Sequence, residues 1–419
     1  MKAFSLLLKS CLFITSAEYT PVQKHLKFLC LLILLLSPVA IFAQDAKTDT
    51  SFKPSGKLWG LAFGDYYYKS HSDISSRGGV NQYTGIEKGR NAFQFRRIYL
   101  GYNYEISRTF AAEVVLAAED NIANNRGVIV GDLLSDNKLS LYIKLANIRW
   151  KNIWKGTDLL FGQMSTPAYS LTIEPIWGYR SVERTITDVR RTPSFDFGAG
   201  LQGKFDPETA NYGYNLLIAN GTSARPENDK YKWFYGDIWA KFFDKKLVLD
   251  LYADYNRLNW TPGAHHSRNM IKGFVGYVSP RLTGGVEAFI NHGKNDVVGL
   301  SATGRDTLSA NATGVSVFAR GPILPSKLGF FARWDHFNPD NNYDDKVYTV
   351  EQGLTATYDP NNKEQLIILG LDYSPNKNVH FMPNLWLNRY ISERGDVSGR
   401  LKKDNDTVYR ITVYYVFGR

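Results

Sequence analysis

The sequence predicts an all-β protein, a transmembrane antiparallel β-barrel of about 16 strands with an inward-folded third loop. Three observations predict this fold. An apolar export segment, residues 28–42, lies near the N-terminus. The residues after it contain no apolar run long enough to cross a bilayer as a helix, which needs about 20 residues. They instead alternate apolar and polar side chains in stretches of about ten residues, rich in Tyr, Phe and Trp, joined by short and long connections in turn.

The N-terminal segment has the parts of a cleavable signal peptide. A basic region (residues 24–27) precedes the apolar core (residues 28–42), and Ala43 and Gln44 flank a cleavage site. Pro38 and the short core disfavour the alternative, a retained membrane anchor. We therefore divide the chain into a leader with a cleavable signal peptide, a short periplasmic N-terminal segment and the transmembrane β-barrel. Their bounds are 1–43 (signal core 24–43), 44–55 and 56–419.

Cysteine and charge content exclude several classes of protein. Both cysteines, Cys11 and Cys30, lie in the leader, so the exported chain has no disulfide of the kind that stabilises small secreted domains. The formal net charge is +10, but the basic residues are scattered without a long run, so we expect no nucleic-acid partner. A positive excess on a channel wall favours anions, and on an outer surface it favours anionic lipid headgroups.

Strands are predicted where apolar and polar residues alternate with a period of two. In residues 247–256 one face carries Leu, Ala and Tyr and the other carries both Asp residues, and residues 110–119 and 408–417 alternate in the same way. A charged face opposite an apolar face requires a wet interior and a lipid-facing exterior. The same alternation predicts that Arg96 and Arg97 lie on opposite faces of one strand. The candidate lumen-lining residues are Arg97, Glu113, Asp250, Asp254 and Arg410.

The connections alternate in length along the chain. The short ones are 105–108, 151–156, 206–211, 244–246, 279–282, 321–326 and 374–377. The long ones are 69–91, 120–137, 164–196, 221–231, 258–268, 292–312, 336–363 and 391–406. Seven short turns and eight long loops separate sixteen strands, so both termini lie on the periplasmic side and the long loops outside. A barrel of this size leaves an aqueous channel rather than a filled core.

The third long connection, residues 164–196, is too apolar for a purely external loop. It interleaves Leu, Ile, Trp and Tyr with charges, which suits a segment that packs on the inner wall and narrows the lumen. Four arginines against two acids between residues 180 and 191 would give a local positive field that favours anions. Alternatively, Glu183 with Arg180 or Arg184, or Asp188 with Arg191, forms salt bridges that only fix the loop. The candidate constriction residues are Arg180, Glu183, Arg184, Asp188, Arg190 and Arg191.

Four stretches resemble the phosphate-selective porin O and P family of outer-membrane channels. They are residues 91–120 with the Phe-Arg-Arg strand, 161–184 leading into the third loop, 196–205 and 367–390. The resemblance implies a sixteen-stranded, trimeric pore with an inward-folded third loop, but gives no residue-by-residue match for the family's phosphate site. The chain departs from the usual barrel terminus, because its last aromatic residue, Phe417, lies two positions before the end.

From these features we expect an outer-membrane porin, a channel for passive diffusion of small hydrophilic solutes that prefers anions, with phosphate selectivity as the finer expectation. The alternative is a non-transporting barrel that acts as an adhesin or scaffold through its long external loops. We expect no enzyme activity, catalytic residue, cofactor or metal site, since the chain has no GxSxG motif and no cluster with metal-ligand spacing. The expected partners are solutes, outer-membrane lipid, the barrel assembly machinery and two further copies in a homotrimer, after export to the cell outer membrane.

Overall fold

The computed structural model describes most of the chain after residue 51. The described residues are 52–75, 77, 82–119, 122–123, 129–130, 140–190, 192–258, 265–344, 346–347, 349–353, 360, 363–391 and 402–418. The predicted leader (1–43) and most of the predicted periplasmic segment (44–55) lie outside these residues. The first strand begins at Ser55, one residue before the predicted start of the barrel.

Sixteen antiparallel strands form a closed barrel, as the sequence predicts. Neighbours in sequence pair with one another, and β1 pairs with both β2 and β19, which closes the sheet. The barrel strands are β1 (Ser55–His71), β2 (Asn91–Glu105), β3 (Phe110–Glu119), β6 (Tyr142–Trp154), β7 (Thr157–Ser165), β8 (Phe195–Lys204), β9 (Tyr212–Ala219), β10 (Trp233–Phe242), β11 (Leu247–Leu258), β12 (His266–Val278), β13 (Thr283–Ser301), β14 (Gly304–Leu324), β15 (Leu328–Asn338), β17 (Glu364–Asn376), β18 (Val379–Tyr390) and β19 (Asp404–Phe417).

Three short strands and two short helices lie in the connections. β4 (Ile122–Ala123) pairs with β5 (Ile129–Val130), and β16 (Thr349–Gly353) pairs with β13. The helices α1 (Ile173–Trp177) and α2 (Ile186–Arg190) both belong to the connection between β7 and β8. No helix among the described residues is long and apolar enough to span a membrane.

The alternation of inward and outward side chains is confirmed. Along β11 the side chains of Val248, Asp250 and Tyr252 are buried, whereas Leu251 is 60% exposed. β19 alternates in the same way, with Arg410 buried and Tyr409 55% exposed. Because the polar and charged residues take the inward positions, the exterior of the barrel is apolar and suits a bilayer.

The prediction for Arg96 and Arg97 is wrong, because β2 contains a β-bulge. Phe63 pairs with Arg97 and the next residue, Gly64, pairs with Phe95, so Arg96 is the extra residue of the ladder. A bulge breaks the strict alternation of faces. As a result both arginines are buried, with Arg96 1% and Arg97 2% exposed.

The prediction of a long loop over residues 292–312 is also wrong. β13 continues to Ser301 and β14 starts at Gly304, so only two residues connect the two strands. Beyond the barrel rim β13 pairs on its other side with β16, over residues 297–300. The added strand supplies backbone hydrogen-bond partners that an isolated hairpin would lack, and Val297 becomes fully buried in this extension.

Candidate functional site

The connection between β7 and β8, residues 166–194, is called the third loop here, and it packs against the inner wall. Its apolar residues Ile173, Trp177 and Ile186 are at most 2% exposed. The Trp177 ring lies 5.2 Å from the ring of Phe318 on β14 and 6.4 Å from that of Phe331 on β15. These strands are separated by many others from β7 and β8, where the loop begins and ends, so the loop crosses the lumen.

The middle of the third loop is fixed through its backbone. The indole N–H of Trp177 donates to the Glu183 carbonyl at 2.9 Å. From the wall, Arg96 donates to the Val182 carbonyl at 3.4 Å, and Arg333 donates to the Arg184 carbonyl. Two buried wall arginines therefore satisfy loop carbonyls that would otherwise lose their hydrogen bonds.

The Glu183 carboxylate of the third loop is surrounded by donor groups from the loop and from the barrel wall. Trp386 of β18 donates its indole N–H to the Glu183 carboxylate at 2.9 Å. Burial raises the pKa of Glu183, but the nearby guanidinium groups outweigh it and lower the pKa. These groups belong, in order of effect, to Arg184, Arg96, Arg410 and Arg333. Glu183 is therefore held as a carboxylate among arginines from the loop and from three strands.

The other described loop arginines are also paired. Arg180 donates to Asp188 at 2.6 Å and to Glu174. Burial raises the pKa of Asp188, but Arg180, followed by Arg184 and Arg97, more than offsets burial and lowers it. Arg190 makes a two-pronged ion pair with Glu364 of β17, at 2.8 and 3.2 Å.

The alternative from the sequence, that charges of the third loop form salt bridges which fix the loop, therefore applies to part of it. Arg184 Nε lies 3.9 Å from Glu183 Oε1, and Asp188 pairs with Arg180. Arg191 lies outside the described residues, so its predicted pair with Asp188 is not described. Since Arg180 lies between two carboxylates, the local positive field expected from it is largely neutralised.

All five predicted lumen-lining residues take inward positions. Arg97 lies 3.8 Å from Glu119, and Glu113 accepts a hydrogen bond from Asn147 at 3.3 Å. Asp250 is fully buried and lies beside Thr172 of the third loop. The remaining two contact their wall neighbours, with Asp254 accepting from Tyr252 at 2.7 Å and Arg410 donating to Asn384 at 2.7 Å.

A basic cavity of about 740 Å³ lies at the short-turn end of the lumen, beside the start of the third loop. We call it the basic vestibule. It is lined by Lys204, Lys241 and Lys245, and the loop residues Leu171 and Ile176 form part of its wall. Its other charged lining residues are Arg149, Lys151 and Asp158. Arg149 is paired with Asp158 and Lys151 with Glu105, so the three lysines give this end of the lumen a positive potential.

The three lysines of the vestibule differ from the arginines of the loop. Arg149 pairs with Asp158 at 2.8 Å, but none of the ion pairs between described residues involves Lys204, Lys241 or Lys245. The ammonium group of Lys241 lies 5.0 Å from the centre of the Trp239 ring. Sequence reasoning missed this cluster. Strand parity could have placed Lys241 inward with Asp237, but only the pairing of β8, β9 and β10 brings it beside Lys204, while Lys245 follows in the next turn.

Solved structures of other proteins share the fold of this chain. No family model matches the chain, and no curated protein matches it. The outer membrane channel DcaP of Acinetobacter baumannii is similar in structure, with a TM-score of 0.60, 14% identity, and 88% of this chain and 99% of that chain covered. The chain has a porin fold.

Two further solved structures are similar at low identity. OmpF of Salmonella typhi, solved in complex with daunomycin, has a TM-score of 0.54 at 10% identity, covering 86% of this chain and 97% of that one. OmpT of Vibrio cholerae has a TM-score of 0.52 at 10% identity, covering 88% of this chain and 99% of that one. At such identities the likeness establishes the architecture and leaves the solute to be argued from the lumen.

Proposed function

We propose that the protein is an outer-membrane porin, a water-filled channel for the passive diffusion of small hydrophilic solutes that prefers anions. The observation that carries the anion preference is the basic vestibule, where Lys204, Lys241 and Lys245 have no carboxylate partner among the described ion pairs. Rings of lysine or arginine replace part of the hydration that an anion loses in a narrow passage. Solutes then move down their concentration gradient with no cofactor and no chemical step.

The third loop and the vestibule have separate roles in this proposal. The third loop crosses the lumen and narrows it, with Arg180, Glu183, Arg184, Asp188 and Arg190 as its constriction charges. Since the contacts of these charges are largely with one another and with the wall, the loop acts mainly on solute size. The vestibule lysines supply the charge selectivity. Phosphate is the finer candidate for the preferred anion, and it is supported by the family resemblance and by the chemistry of lysine, a common phosphate ligand.

Location and assembly belong to the same proposal. The fold shared with DcaP and OmpF supports a place in the outer membrane, reached through the predicted signal peptide and the barrel assembly machinery. OmpT of Vibrio cholerae was solved in a trimer form, which supports a homotrimer here. The adhesin alternative is weaker, because a non-transporting barrel has no use for a charged loop that spans its lumen.

The test is single-channel recording from the refolded mature chain, residues 44–419, in a planar bilayer. The reversal potential under a potassium chloride gradient measures ion preference. Ohmic steps with anion preference support the proposal. Steps without anion preference overturn the selectivity, and no steps from a folded barrel overturn the channel in favour of the adhesin. Added phosphate that blocks the current supports phosphate selectivity, and currents indifferent to phosphate leave a general porin.

A matched pair of variants locates the selectivity. The triple variant K204Q/K241Q/K245Q removes the three lysines of the vestibule while keeping chain length and polarity. The control K88Q/K327Q/K346Q removes the same charge from exposed residues in loops and turns. We expect the vestibule variant to lose most of its anion preference and the control to keep it. Equal behaviour of the two variants would move the selectivity away from the vestibule.

A further inference from the structure

Three adjacent strands place a polar row on the outward face of the barrel near its long-loop end. His336 of β15 pairs with Gln365 of β17, and Gln365 pairs with Arg389 of β18, so the three side chains are cross-strand neighbours. The Arg389 guanidinium donates to the side-chain amide oxygen of Gln365 (Oε1) at 3.5 Å. Lys363 lies at the same rim, where its carbonyl accepts the Ile391 N–H at 3.0 Å. We call His336, Lys363, Gln365 and Arg389 the rim row.

Three apolar rows continue from the rim row toward the short-turn end. The first consists of Trp334, Ile367 and Leu387, the second of Ala332, Leu369 and Leu385, and the third of Phe330, Leu371 and Pro383. Trp334 is 38% and Leu369 49% exposed without the bilayer. Rows follow one another at about 7 Å along the strands. Three rows therefore cover about 15 Å, the depth of the acyl chains in one leaflet.

The junction between the rim row and the apolar rows has the chemistry of a membrane interface. The rings of Trp334 and His336 are stacked, with their centres 6.1 Å apart. Trp is favoured at the level of lipid headgroups, because one edge of its ring is apolar and the other polar. The rim row therefore lies at headgroup level in the outer leaflet, since the long loops of such barrels face outward.

The outward positions carry charge of one sign. These outward positions belong to the described parts of β11–β15, β17 and β18, outside the β13–β14 extension. The charged or histidine side chains there are Arg257, His292, Lys294, His336 and Arg389. These positions hold no Asp or Glu. Glu364, next to the rim row in sequence, points into the lumen and binds Arg190 there. A cationic rim at the headgroup level is complementary to an anionic lipid.

We propose that the rim row binds the phosphorylated, negatively charged headgroup of an outer-leaflet lipid, whose acyl chains lie on the three apolar rows. Arg389 offers forked donors that match two phosphate oxygens, and Gln365 orients that fork. Lys363, two residues before Gln365 at the rim, adds positive charge, and His336 adds a ring nitrogen to the row. The proposal rests on the outer-membrane location given above, but it is independent of what passes through the lumen.

The test is native mass spectrometry of the refolded mature chain in neutral detergent micelles with added phosphatidylglycerol. Wild type is expected to retain phosphatidylglycerol at least about tenfold more strongly than K363Q/R389Q. The charge-matched control K88Q/K346Q, which changes two exposed loop residues, is expected to bind as wild type does. Heat-modifiable mobility on gels verifies that each variant is folded. Bound lipid is read from mass and not from current, so failure of this proposal is distinguishable from failure of the channel.

Three outcomes would overturn the lipid site. In the first, wild type and K363Q/R389Q retain phosphatidylglycerol equally. In the second, the control K88Q/K346Q loses as much phosphatidylglycerol as K363Q/R389Q does. In the third, wild type retains zwitterionic phosphatidylcholine as well as it retains phosphatidylglycerol. Inorganic phosphate serves as a competitor. If millimolar phosphate displaced the lipid completely, the row would be a site for free phosphate and the lipid proposal would be wrong.

Discussion

Removal of the Glu183 carboxylate should release the third loop from the wall. Glu183 is 4% exposed and accepts the Trp386 indole N–H at 2.9 Å. It also compensates the buried guanidinium groups of Arg96 and Arg333. The substitution Glu183→Ala removes both the acceptor and the charge, whereas Glu183→Gln keeps an acceptor for Trp386 and removes only the charge.

The expected magnitude follows from these two contributions. A hydrogen bond to a charged group contributes about 1.5–3 kcal/mol. Breaking a buried ion pair by removing one partner costs about 3–5 kcal/mol, because the remaining charge stays buried and uncompensated. We therefore expect Glu183→Ala to weaken docking of the loop by about 3–5 kcal/mol, with Glu183→Gln costing less. At about 1.4 kcal/mol per factor of ten, this shifts the docking equilibrium by about two to four orders of magnitude.

Two assays measure release of the loop. Trypsin should cut the folded variant at Arg180, Arg184 or Arg190, which the wild-type barrel protects through burial and ion pairs. In planar bilayers the variant should give larger and noisier current steps, because an undocked loop no longer narrows the lumen. The control is Glu208→Gln, which loses only an exposed pair with Lys155 at 3.5 Å and should change neither result.

The reasoning would be refuted by a folded Glu183→Ala barrel with wild-type conductance, noise and trypsin resistance. That result would mean that apolar packing of Trp177 and Ile186 alone holds the loop. A stable barrel with a lower conductance would also contradict it, since release of the loop can only widen the lumen.

Further predictions concern other contacts of the same loop. Gly178 ends α1 with a left-handed backbone, φ 72°. Gly178→Ala should therefore lower the free energy of unfolding by about 1 kcal/mol, and Gly178→Asn should lower it less. Equal melting temperatures of the two variants would contradict this role of Gly178. Arg190→Gln loses the pair with Glu364 and should raise current noise, which a quiet channel would disprove. The lowered pKa values of Glu183 and Asp188 mean that their stabilisation is present above their ordinary values of 4.5 and 3.8 and is lost as pH falls through the lower folded values. Conductance should therefore be constant from pH 7 to 5 and change only below about pH 4, and a change already near pH 6 would contradict this assignment.

The errors of sequence reasoning have identifiable causes. Strict alternation placed Arg96 and Arg97 on opposite faces, but a single extra residue in β2 turned both inward. Such a bulge leaves no local signal in the sequence, because it depends on which residues of the neighbouring strand are paired. Polar residues within 292–312 favoured a loop, whereas pairing with β16 extends the strands. In both cases contacts between strands overrode local propensity.

The sequence by itself determined the barrel, its sixteen strands and the face to which Asp250 or Arg410 points, because alternation with period two is a local property. Only the tertiary structure decided which charges meet. Arg190 finds Glu364, and Glu183 finds Trp386, across more than 170 residues of chain. The lysines of the basic vestibule come together only through the pairing of β8, β9 and β10. The physical reason is that strand polarity is encoded along the chain, whereas the field in the lumen is a sum over residues from many strands.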